Sequence, residues 1–176
     1  MKFHDTGLPG ALIIELEPSQ DERGAFTRLW DHDEFQRHGL PAGIDQCSSA
    51  YNKAKGTLRG MHYQVAPHEE TKVVSCVAGA IYDVIVDLRP RSPTYKRWFA
   101  AELSVDNPRA LYVPAGFAHG YQTLRDHSTV HYLIAGSYAP EHARGVRWND
   151  PAFGIQWPED TRIISPRDRQ YPDFAA

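Results

Sequence analysis

The chain has 176 residues, which is the size of one ordinary domain. Nineteen Lys and Arg residues against 22 Asp and Glu residues give a formal net charge of -3, with both signs mixed along the chain. This argues against nucleic-acid binding through bulk charge, and 41% hydrophobic residues are enough for a sizeable core. Since no apolar run approaches the roughly 18 residues of a membrane span and no signal peptide is recognisable, we expect a cytoplasmic protein without membrane contact.

Thirteen Gly and thirteen Pro residues, spread along the chain, favour many short strands joined by turns. The pattern predicts strands over residues 11–16, 25–30, 57–63, 72–77, 80–88, 98–103, 110–113 and 129–134. One short helix is predicted over residues 31–38, capped by Asp31 or Asp33 and ended by Gly39. Without internal repeats or linkers, the prediction is one all-β domain over residues 1–176, a sandwich or a barrel.

The predicted strand 80–88 alternates sharply. One of its faces is wholly apolar, with Tyr82, Val84, Val86 and Leu88, whereas the other carries Asp83 and Asp87 between Ile81 and Ile85. Two carboxylates on one face are typical of an exterior strand or of a strand that lines a polar cavity in a barrel. The pattern leaves both alternatives open.

Cys47 and Cys76 are the two cysteines of the chain, too few for a disulfide scaffold and too far apart in sequence for a zinc motif. We expect both to be reduced residues of the core or of a pocket.

Two segments resemble the paired signatures of the cupin superfamily: residues 60–64, Gly-Met-His-Tyr-Gln, with Glu70 and Lys72 after them, and residues 114–119, Pro-Ala-Gly-Phe-Ala-His. The resemblance implies an all-β jelly-roll barrel, or double-stranded β-helix, with a few short peripheral helices. Cupins commonly hold a metal on three histidines and a carboxylate. Here Gln64 replaces the second histidine, and Lys72 falls close to the expected acidic ligand. Because an ammonium group has no lone pair for a metal, the segments predict instead that His62, Lys72 and His119 stabilise negative charge on an oxygen.

A closer resemblance covers residues 7–173. About ten motifs are similar, in the same order, to those of the dTDP-4-dehydrorhamnose 3,5-epimerase family: Arg23-Gly-x-Phe26, residues 56–64, Lys72-Val-Val, residues 83–90, Ser92-Pro-Thr-Tyr95, residues 114–120, Tyr132, Tyr138, Trp148-Asn-Asp-Pro151, Ile155-x-Trp-Pro158 and Ser165-Pro-Arg-Asp168. Members of this family invert carbons beside the ketone of a nucleoside-diphosphate 4-keto-6-deoxy sugar, without a metal or a nicotinamide.

The resemblance implies four catalytic residues. His62 matches the general base, Asp168 the carboxylate that orients it, Lys72 the cation that holds the enolate oxygen, and Tyr132 the acid on the opposite face of the sugar. On its own predicted strand, Tyr132 shares a face with Val130 and Ile134, so a tyrosine of the core is the alternative for this position.

The resemblance also implies a substrate-binding set. Arg59 suits a bidentate hold on the diphosphate, and Tyr138 matches a residue that contacts the base. Arg23 and Phe26 match residues that reach the nucleotide of a neighbouring subunit, which implies a homodimer with an N-terminal arm of about residues 1–30. Ser48 stands where Asn is common in the family, and Arg167 stands where Lys is usual. The full set is Arg23, Phe26, Arg28, Gln46, Ser48, Arg59, Asp83, His119, Tyr138 and Arg167.

The leading hypothesis is therefore an epimerase that acts at C3, C5 or both of a nucleoside-diphosphate 4-ketosugar, without cofactor or metal, with dTDP-4-dehydro-6-deoxy-D-glucose as the expected substrate. A ketosugar 3,4-isomerase of the cupin kind is one alternative. A nucleotide-sugar-binding cupin without activity is the other, and the joint presence of His62, Lys72, Tyr132 and Asp168 argues against it.

Overall fold

The computed structural model describes residues 1–160 and 163–175 and contains fourteen strands in this part of the chain. The strands are β1 (Lys2–Asp5), β2 (Leu12–Glu15), β3 (Ser19–Asp21), β4 (Gly24–Phe26), β5 (Gln46–Asn52), β6 (Thr57–Gln64), β7 (Thr71–Ala78), β8 (Ala80–Asp87), β9 (Trp98–Ser104), β10 (Arg109–Val113), β11 (Phe117–Thr123), β12 (Ser128–Ala135), β13 (Ala143–Gly145) and β14 (Ile163–Ile164). Short helices lie at α1 (His32–Arg37) and α2 (Pro166–Arg169), with a 3-10 helix at Pro140–His142.

Most strands belong to two sheets that face each other. The first sheet has the order β1-β2-β10-β7-β12-β5, and the second has the order β13-β6-β11-β8-β9 with β14 beside β6. Neighbours are antiparallel except β14, which runs parallel to β6, and β3 and β4 form a separate hairpin. Two facing antiparallel sheets of this kind confirm the expected all-β jelly roll with few short helices.

Most of the strands predicted from apolar alternation, and the one predicted helix, are present in the structure. The helix begins after Asp31, whose carboxylate accepts a hydrogen bond from the Glu34 backbone N–H, and it is followed by Gly39 at a φ of 69°. The predicted strand over residues 25–30 is wrong beyond Phe26, because Leu29 and Trp30 leave the hairpin to pack against the helix side of the first sheet.

The interior of the sandwich is one apolar cluster to which both sheets contribute. Val74, Leu111 and Val130 come from the first sheet, and Ile81, Ile85 and Leu103 come from the second. On β8, Ile81 and Ile85 face this interior and Asp83 lies between them with 0% exposure, so β8 lines the interior and is not an exterior strand.

Asp87, at the end of the same strand, has a structural role. Its carboxylate accepts hydrogen bonds from the side chains of Arg89, Ser92 and Thr94, which hold the turn after β8. Burial alone would raise the pKa of Asp87, but these hydrogen bonds outweigh it and lower the pKa to about 2.

The outer face of each sheet is covered by one end of the chain. Val84, Val86 and Met61 of the second sheet pack under Phe153 and Ile155, which explains why both faces of β8 are buried. The first sheet packs with Ile14, Val73 and Tyr112 against α1, through Phe35. No helix within residues 1–160 and 163–175 has the length and apolar character needed to cross a membrane.

One of the two cysteines lies where the sequence did not predict it. Cys76 is buried in the interior, as expected, but Cys47 is exposed and its Sγ lies 3.3 Å from Nε2 of His131. Because Gln46 and Ser48 of β5 point into the sandwich, the residue between them points outward, which is the reason that Cys47 lies in neither the core nor the pocket.

Phe35 is the side chain that fixes α1 to the first sheet, because it is the one buried residue of this helix. We expect Phe35→Ala to lower the free energy of unfolding by about 3–5 kcal/mol, from lost burial and the cavity left behind. Chemical denaturation measures the loss. Gln36→Ala on the exposed side of α1 is the control, with an expected change within about 0.5 kcal/mol, and equal losses in the two variants would contradict this packing role.

Candidate active site

A cavity of about 590 Å³ opens between the two sheets. This volume is in the range of small-molecule sites, and the lining is rich in groups that carry charge or hydrogen bonds. Ten of the fourteen residues expected at a functional site line it: Gln46, Ser48, Arg59, His62, Lys72, His119, Tyr132, Tyr138, Arg167 and Asp168.

His62 and Asp168 form an imidazole–carboxylate pair in this cavity. Nε2 of His62 lies 2.7 Å from Oδ1 of Asp168, and Oδ2 of Asp168 accepts a hydrogen bond from the Gly60 backbone N–H at 3.3 Å. Burial alone would raise the pKa of the Asp168 carboxyl, but the hydrogen bond and charge of His62, the Gly60 N–H and Ser165 together lower it. The carboxylate is thus charged and positioned, and one ring nitrogen of His62 is committed to it.

The short helix α2 brings Asp168 to this position. Ser165 precedes the helix and its Oγ accepts a hydrogen bond from the Asp168 N–H at 3.1 Å, which caps the first turn. Pro166 occupies the first position of the helix, where no backbone N–H is needed. The motif Ser165-Pro-Arg-Asp168 therefore encodes a capped turn that presents a carboxylate to the second sheet.

Strand β6 presents both Arg59 and His62 to the cavity, although residues three apart on a regular strand point to opposite faces. The register to β11 shifts here, since His62 is opposite His119 but Arg59 is opposite Tyr121. Gly60 makes the shift possible, with a φ of 135° and no room for a side chain: a Cβ there would lie 2.5 Å from Cα of Gly120.

His119 and Asp83 form a second imidazole–carboxylate pair deeper in the sandwich. Nε2 of His119 lies 2.8 Å from Oδ1 of Asp83, and both side chains are buried. Asp83 itself does not line the cavity, so the structure places it behind His119, where it orients the imidazole that faces the cavity.

Tyr132 faces His62 from the opposite sheet. It lies on β12 with Val130 and Ile134 on the inward face, and its ring packs edge-on against His119 at a centroid distance of 6.0 Å. Burial, with Tyr121 and Asp83 nearby, raises the pKa of the Tyr132 phenol well above its ordinary value. This phenol therefore holds its proton across the neutral pH range and can deliver it only to a strongly basic site.

Lys72, on the adjacent strand β7, is a buried cation in the same cavity. Its Nζ lies 2.9 Å from Oε1 of Glu70, and both side chains are nearly inaccessible to water. On the first sheet, Tyr132 is opposite Val74 and Ile134 is opposite Lys72, so the phenol and the ammonium are diagonal neighbours.

Three of the expected binding residues lie outside the cavity of this chain. Arg23 and Phe26 belong to the β3–β4 hairpin and Arg28 to the segment after it. Phe26 is 71% exposed, which is unusual for a large apolar side chain, while Arg23 and Arg28 pair with Asp21 and Asp31.

Several residues that line the cavity were not assigned to the site from the sequence, including Glu70 and Tyr121. Tyr121 donates a hydrogen bond to Oδ1 of Asn52 at 3.2 Å, and Nε of Arg59 donates to the same atom at 2.9 Å. The sequence contains a signal for Glu70, because residues two apart on an extended segment share a face, and Glu70 is two residues from Lys72. Asn52 gives no such signal, because its role depends on two other strands.

The donor set of the cavity does not suit a metal ion. His62 and His119 each direct Nε2 to a carboxylate, and the Lys72 ammonium would repel a cation. Gln64, at the position of a common cupin ligand, is buried and bonds to backbone: its Nε2 donates to the carbonyls of His68 and Ser137, and its Oε1 accepts from the Ala139 N–H.

An oriented imidazole, a protonated phenol on the facing sheet and a buried ammonium in the same cavity are groups suited to proton transfer at a carbon beside a carbonyl. The model of the dTDP-4-dehydrorhamnose 3,5-epimerase family matches residues 5–176 of the chain. The chain belongs to this family, and the protein is an isomerase of the epimerase class.

Individual relatives resemble the chain over nearly its whole length. The dTDP-4-dehydrorhamnose 3,5-epimerase of Sinorhizobium fredii is 38% identical over 175 residues, which cover 99% of this chain and 90% of that protein. The crystal structure of the Bacillus anthracis enzyme with TDP and PPi bound is 40% identical, with a TM-score of 0.95 and coverage of 98% and 99%. The Legionella pneumophila enzyme in complex with dTDP-4-keto-L-rhamnose is 31% identical, with a TM-score of 0.91 and coverage of 99% of both chains.

The lowered pKa of Asp168 predicts a specific dependence of stability on pH. A carboxyl whose pKa is lower in the folded than in the unfolded chain stabilises the fold above the unfolded pKa, and this contribution is lost as the pH falls through the folded pKa. The difference in unfolding free energy between the wild type and Asp168→Asn should therefore be greatest above about pH 5 and shrink on acidification. Denaturant titrations at several pH values measure it, with exposed Asp33→Asn as control. A pH-independent difference would contradict the hydrogen-bonded carboxylate.

Proposed function

We propose that this protein inverts carbons C3 and C5, or one of them, of dTDP-4-dehydro-6-deoxy-D-glucose to give dTDP-4-dehydro-L-rhamnose or its mono-epimer. The observation that carries the proposal is the placement of three side chains around one cavity. His62 lies on the second sheet and is paired with Asp168 of α2, and Tyr132 lies on the facing first sheet. The family of the chain and the ketosugar bound to its Legionella relative support this substrate class.

His62 is the proposed base. A proton on a carbon beside the C4 ketone is acidic because the electron pair left behind delocalises onto the keto oxygen as an enolate. Imidazole is the side chain best suited to accept such a proton near neutral pH. With Nε2 held by Asp168, the free Nδ1 side of the ring is the one available to the sugar, and the carboxylate stabilises the imidazolium that forms.

Lys72 is the proposed partner of the enolate oxygen. A buried cation stabilises charge that develops on an oxygen more than an exposed one does, because little water screens the interaction. Glu70 holds the ammonium at 2.9 Å before the enolate forms. The developing oxyanion then shares the Lys72 protons with Glu70, and no group has to move far.

Tyr132 is the proposed acid. Because it extends from the sheet opposite His62, it can protonate the enolate carbon on the face away from the base, and this inverts the stereocentre. A phenol with a raised pKa transfers its proton to a carbanion-like carbon but not to water, which keeps the acid loaded between turnovers. Its position on the cavity wall favours this role over that of a tyrosine of the core.

The remaining lining residues form the proposed binding set for the nucleotide and the diphosphate. Arg59 and Arg167 supply fixed positive charge for the diphosphate, and His119 supplies an oriented imidazole. Tyr138, 59% exposed at the mouth of the cavity, offers a ring on which a base can stack. Gln46 and Ser48, side by side on the inward face of β5, offer hydrogen-bonding groups to the ligand.

We propose further that the enzyme works as a cytoplasmic homodimer in which the N-terminal arm, about residues 1–30, completes the neighbour's site. The support is the β3–β4 hairpin, which stands apart from both sheets and exposes Phe26 and Arg23, an aromatic ring and a guanidinium suited to a nucleotide. Arg28 follows on the same arm. The cavity of one chain lacks these three residues.

The two alternatives differ in measurable ways. A 3,4-isomerase would also use a base beside the ketone, but its product carries the keto group at another ring position. A binding protein without activity would retain ligand affinity and exchange no sugar proton with solvent. The paired base and acid on facing sheets favour the epimerase over both.

Exchange with solvent tests the reaction and the base. When the enzyme is incubated with dTDP-4-dehydro-6-deoxy-D-glucose in deuterated water containing EDTA, NMR should show deuterium at C3 and C5, or at one of them, with the keto group still at C4. His62→Ala should abolish the exchange, whereas the control His32→Gln, which changes an exposed histidine of α1, should leave it unchanged. A folded wild-type protein that incorporates no deuterium would refute the proposal.

The acid is tested by separating inversion from exchange. Tyr132→Phe removes the proposed proton donor but leaves His62 in place, so inversion should fall by roughly 10²- to 10⁴-fold while exchange falls much less. Chiral analysis of the product and deuterium content, measured on the same sample, give the ratio. An equal loss of both would contradict the role of Tyr132 as the opposite-face acid.

A mixing experiment tests the arm. Arg23→Ala and His62→Ala are each expected to be defective, but in a hybrid dimer one site has an intact His62 and receives an intact Arg23 from the partner. Since half of randomly reassembled dimers are hybrids with one complete site of two, activity should return to about a quarter of the wild-type level. No recovery, with hybrid dimers present by native mass spectrometry, would show that each arm serves its own chain.

A further inference from the structure

Two histidines and a glutamate converge on the surface outside the cavity. His68 lies in the connection between β6 and β7, and Glu141 and His142 lie in the 3-10 helix before β13. Each residue offers a ligand atom, and these atoms all lie within 4.8 Å of one another. It is the one cluster of this kind in the described residues, and none of the three lines the cavity.

The spacing fits a tetrahedral metal ion. With metal–ligand bonds of about 2.0–2.1 Å, two ligands of a tetrahedral site lie roughly 3.3 Å apart. Nδ1 of His142 and Oε1 of Glu141 are 3.4 Å apart, and the rings of His68 and His142 have centroids 4.4 Å apart. Glu141 is exposed and His68 is not buried, so small rotations of these two side chains can close the remaining distance.

One of these ligand atoms lacks a partner. Nδ1 of His142 is buried and has no hydrogen-bond partner within residues 1–160 and 163–175, since 3.4 Å to Glu141 is long for such a bond. Leaving a buried polar nitrogen unsatisfied costs free energy, which a metal–nitrogen bond would recover.

The backbone around the cluster is already fixed. The Val65 N–H donates to the His142 carbonyl at 3.1 Å, and the His68 N–H donates to the Val65 carbonyl at the same distance. The buried amide of Gln64 joins the His68 carbonyl to the segment that leads into the 3-10 helix. Ligands held on a fixed backbone lose little freedom on binding, which favours a site over a chance surface contact.

We propose that His68, Glu141 and His142 bind one divalent transition-metal ion of the Zn²⁺ kind, with water in the fourth position. Two imidazoles and one carboxylate favour Zn²⁺ over Mg²⁺ and Ca²⁺, which prefer ligand sets made of oxygen. The ion would link the connection that leads to Glu70 and Lys72 with the segment that carries Tyr138, and so brace the rim of the cavity from outside. Its role is structural and independent of the proposed epimerase chemistry.

Calorimetric titration tests the site. Tag-free protein, treated with EDTA and dialysed, should bind one ZnCl₂ equivalent per chain at about pH 7.5, where imidazole is neutral. Because the loss of a mere outer partner of a metal ligand costs 10- to 100-fold in affinity, His68→Ala should weaken binding by about 100-fold or more. His32→Gln, which removes an exposed imidazole on α1, is the matched control and should bind as the wild type does.

Two further measurements do not depend on one variant. Co²⁺ should give the intense visible absorption of a tetrahedral site in the wild type and the control but not in His68→Ala. Zn²⁺ should raise the Tm of the wild type and not that of His68→Ala or Glu141→Gln, both of which change exposed side chains. Absence of stoichiometric binding by the wild type, or equal affinity in His68→Ala, would overturn the proposal whether or not the protein epimerises sugars.

Discussion

The hydrogen bond between Nε2 of His62 and Oδ1 of Asp168 joins a central strand to a four-residue helix 106 residues later in the chain. At 2.7 Å it requires that the whole C-terminal segment be correctly placed, because Asp168 reaches the second sheet through its capped turn, the pairing of β14 with β6 and the Gly60 N–H. That segment also covers the apolar outer face of β6, β11 and β8 with Phe153 and Ile155. The packing that completes the second sheet is thus the same packing that positions the His62–Asp168 pair, so the fold and the proposed base depend on one set of apolar contacts.

Three nitrogen-bearing side chains that line the cavity are each held by a carboxylate. His62 with Asp168, His119 with Asp83 and Lys72 with Glu70 are held at 2.7, 2.8 and 2.9 Å. Buried charges persist only when paired, since an isolated one costs several kcal/mol. The partners also fit the proposed roles. An imidazole held by a carboxylate, such as His62, is suited to act as a base, whereas Lys72, which shares its protons with Glu70, can bind a second anion. The phenol of Tyr132 must stay neutral to act as the proposed acid, and burial beside Asp83 has that effect.

Alternation along the strands was enough to predict much of the fold and the residues that point inward. It indicated β8, β12 and most of β7 and β9, and the structure places Tyr132 with Val130 and Ile134, as the pattern requires. It failed for β5 and β11, because the segment Gln-Cys-Ser-Ser and the polar run around His119 have the composition of loops and become strands only when they pair within the sheets. Strand alternation also could not predict that Arg59 and His62 share a face. Their common face depends on a register shift at Gly60, where the backbone packs closely against Gly120 of β11.

The family motifs predicted the candidate site residues, which strand alternation could not do, but they did not predict the partners that hold those residues in place. Glu70 and Asn52 hold Lys72 and Arg59, and neither belongs to a motif that assigns it a function. The motifs likewise did not give the partners of Gln64. The replacement of a histidine by Gln64 argued against a metal in the barrel, and in the structure the amide of Gln64 connects two loops by hydrogen bonds. Gln64, at the position of a common cupin metal ligand, is thus a structural brace in this barrel. An imidazole nitrogen binds a cation through its lone pair. Here Nε2 of His62 and Nε2 of His119 each donate to a carboxylate, of Asp168 and of Asp83, so these two nitrogens carry a proton and have no lone pair to offer a cation.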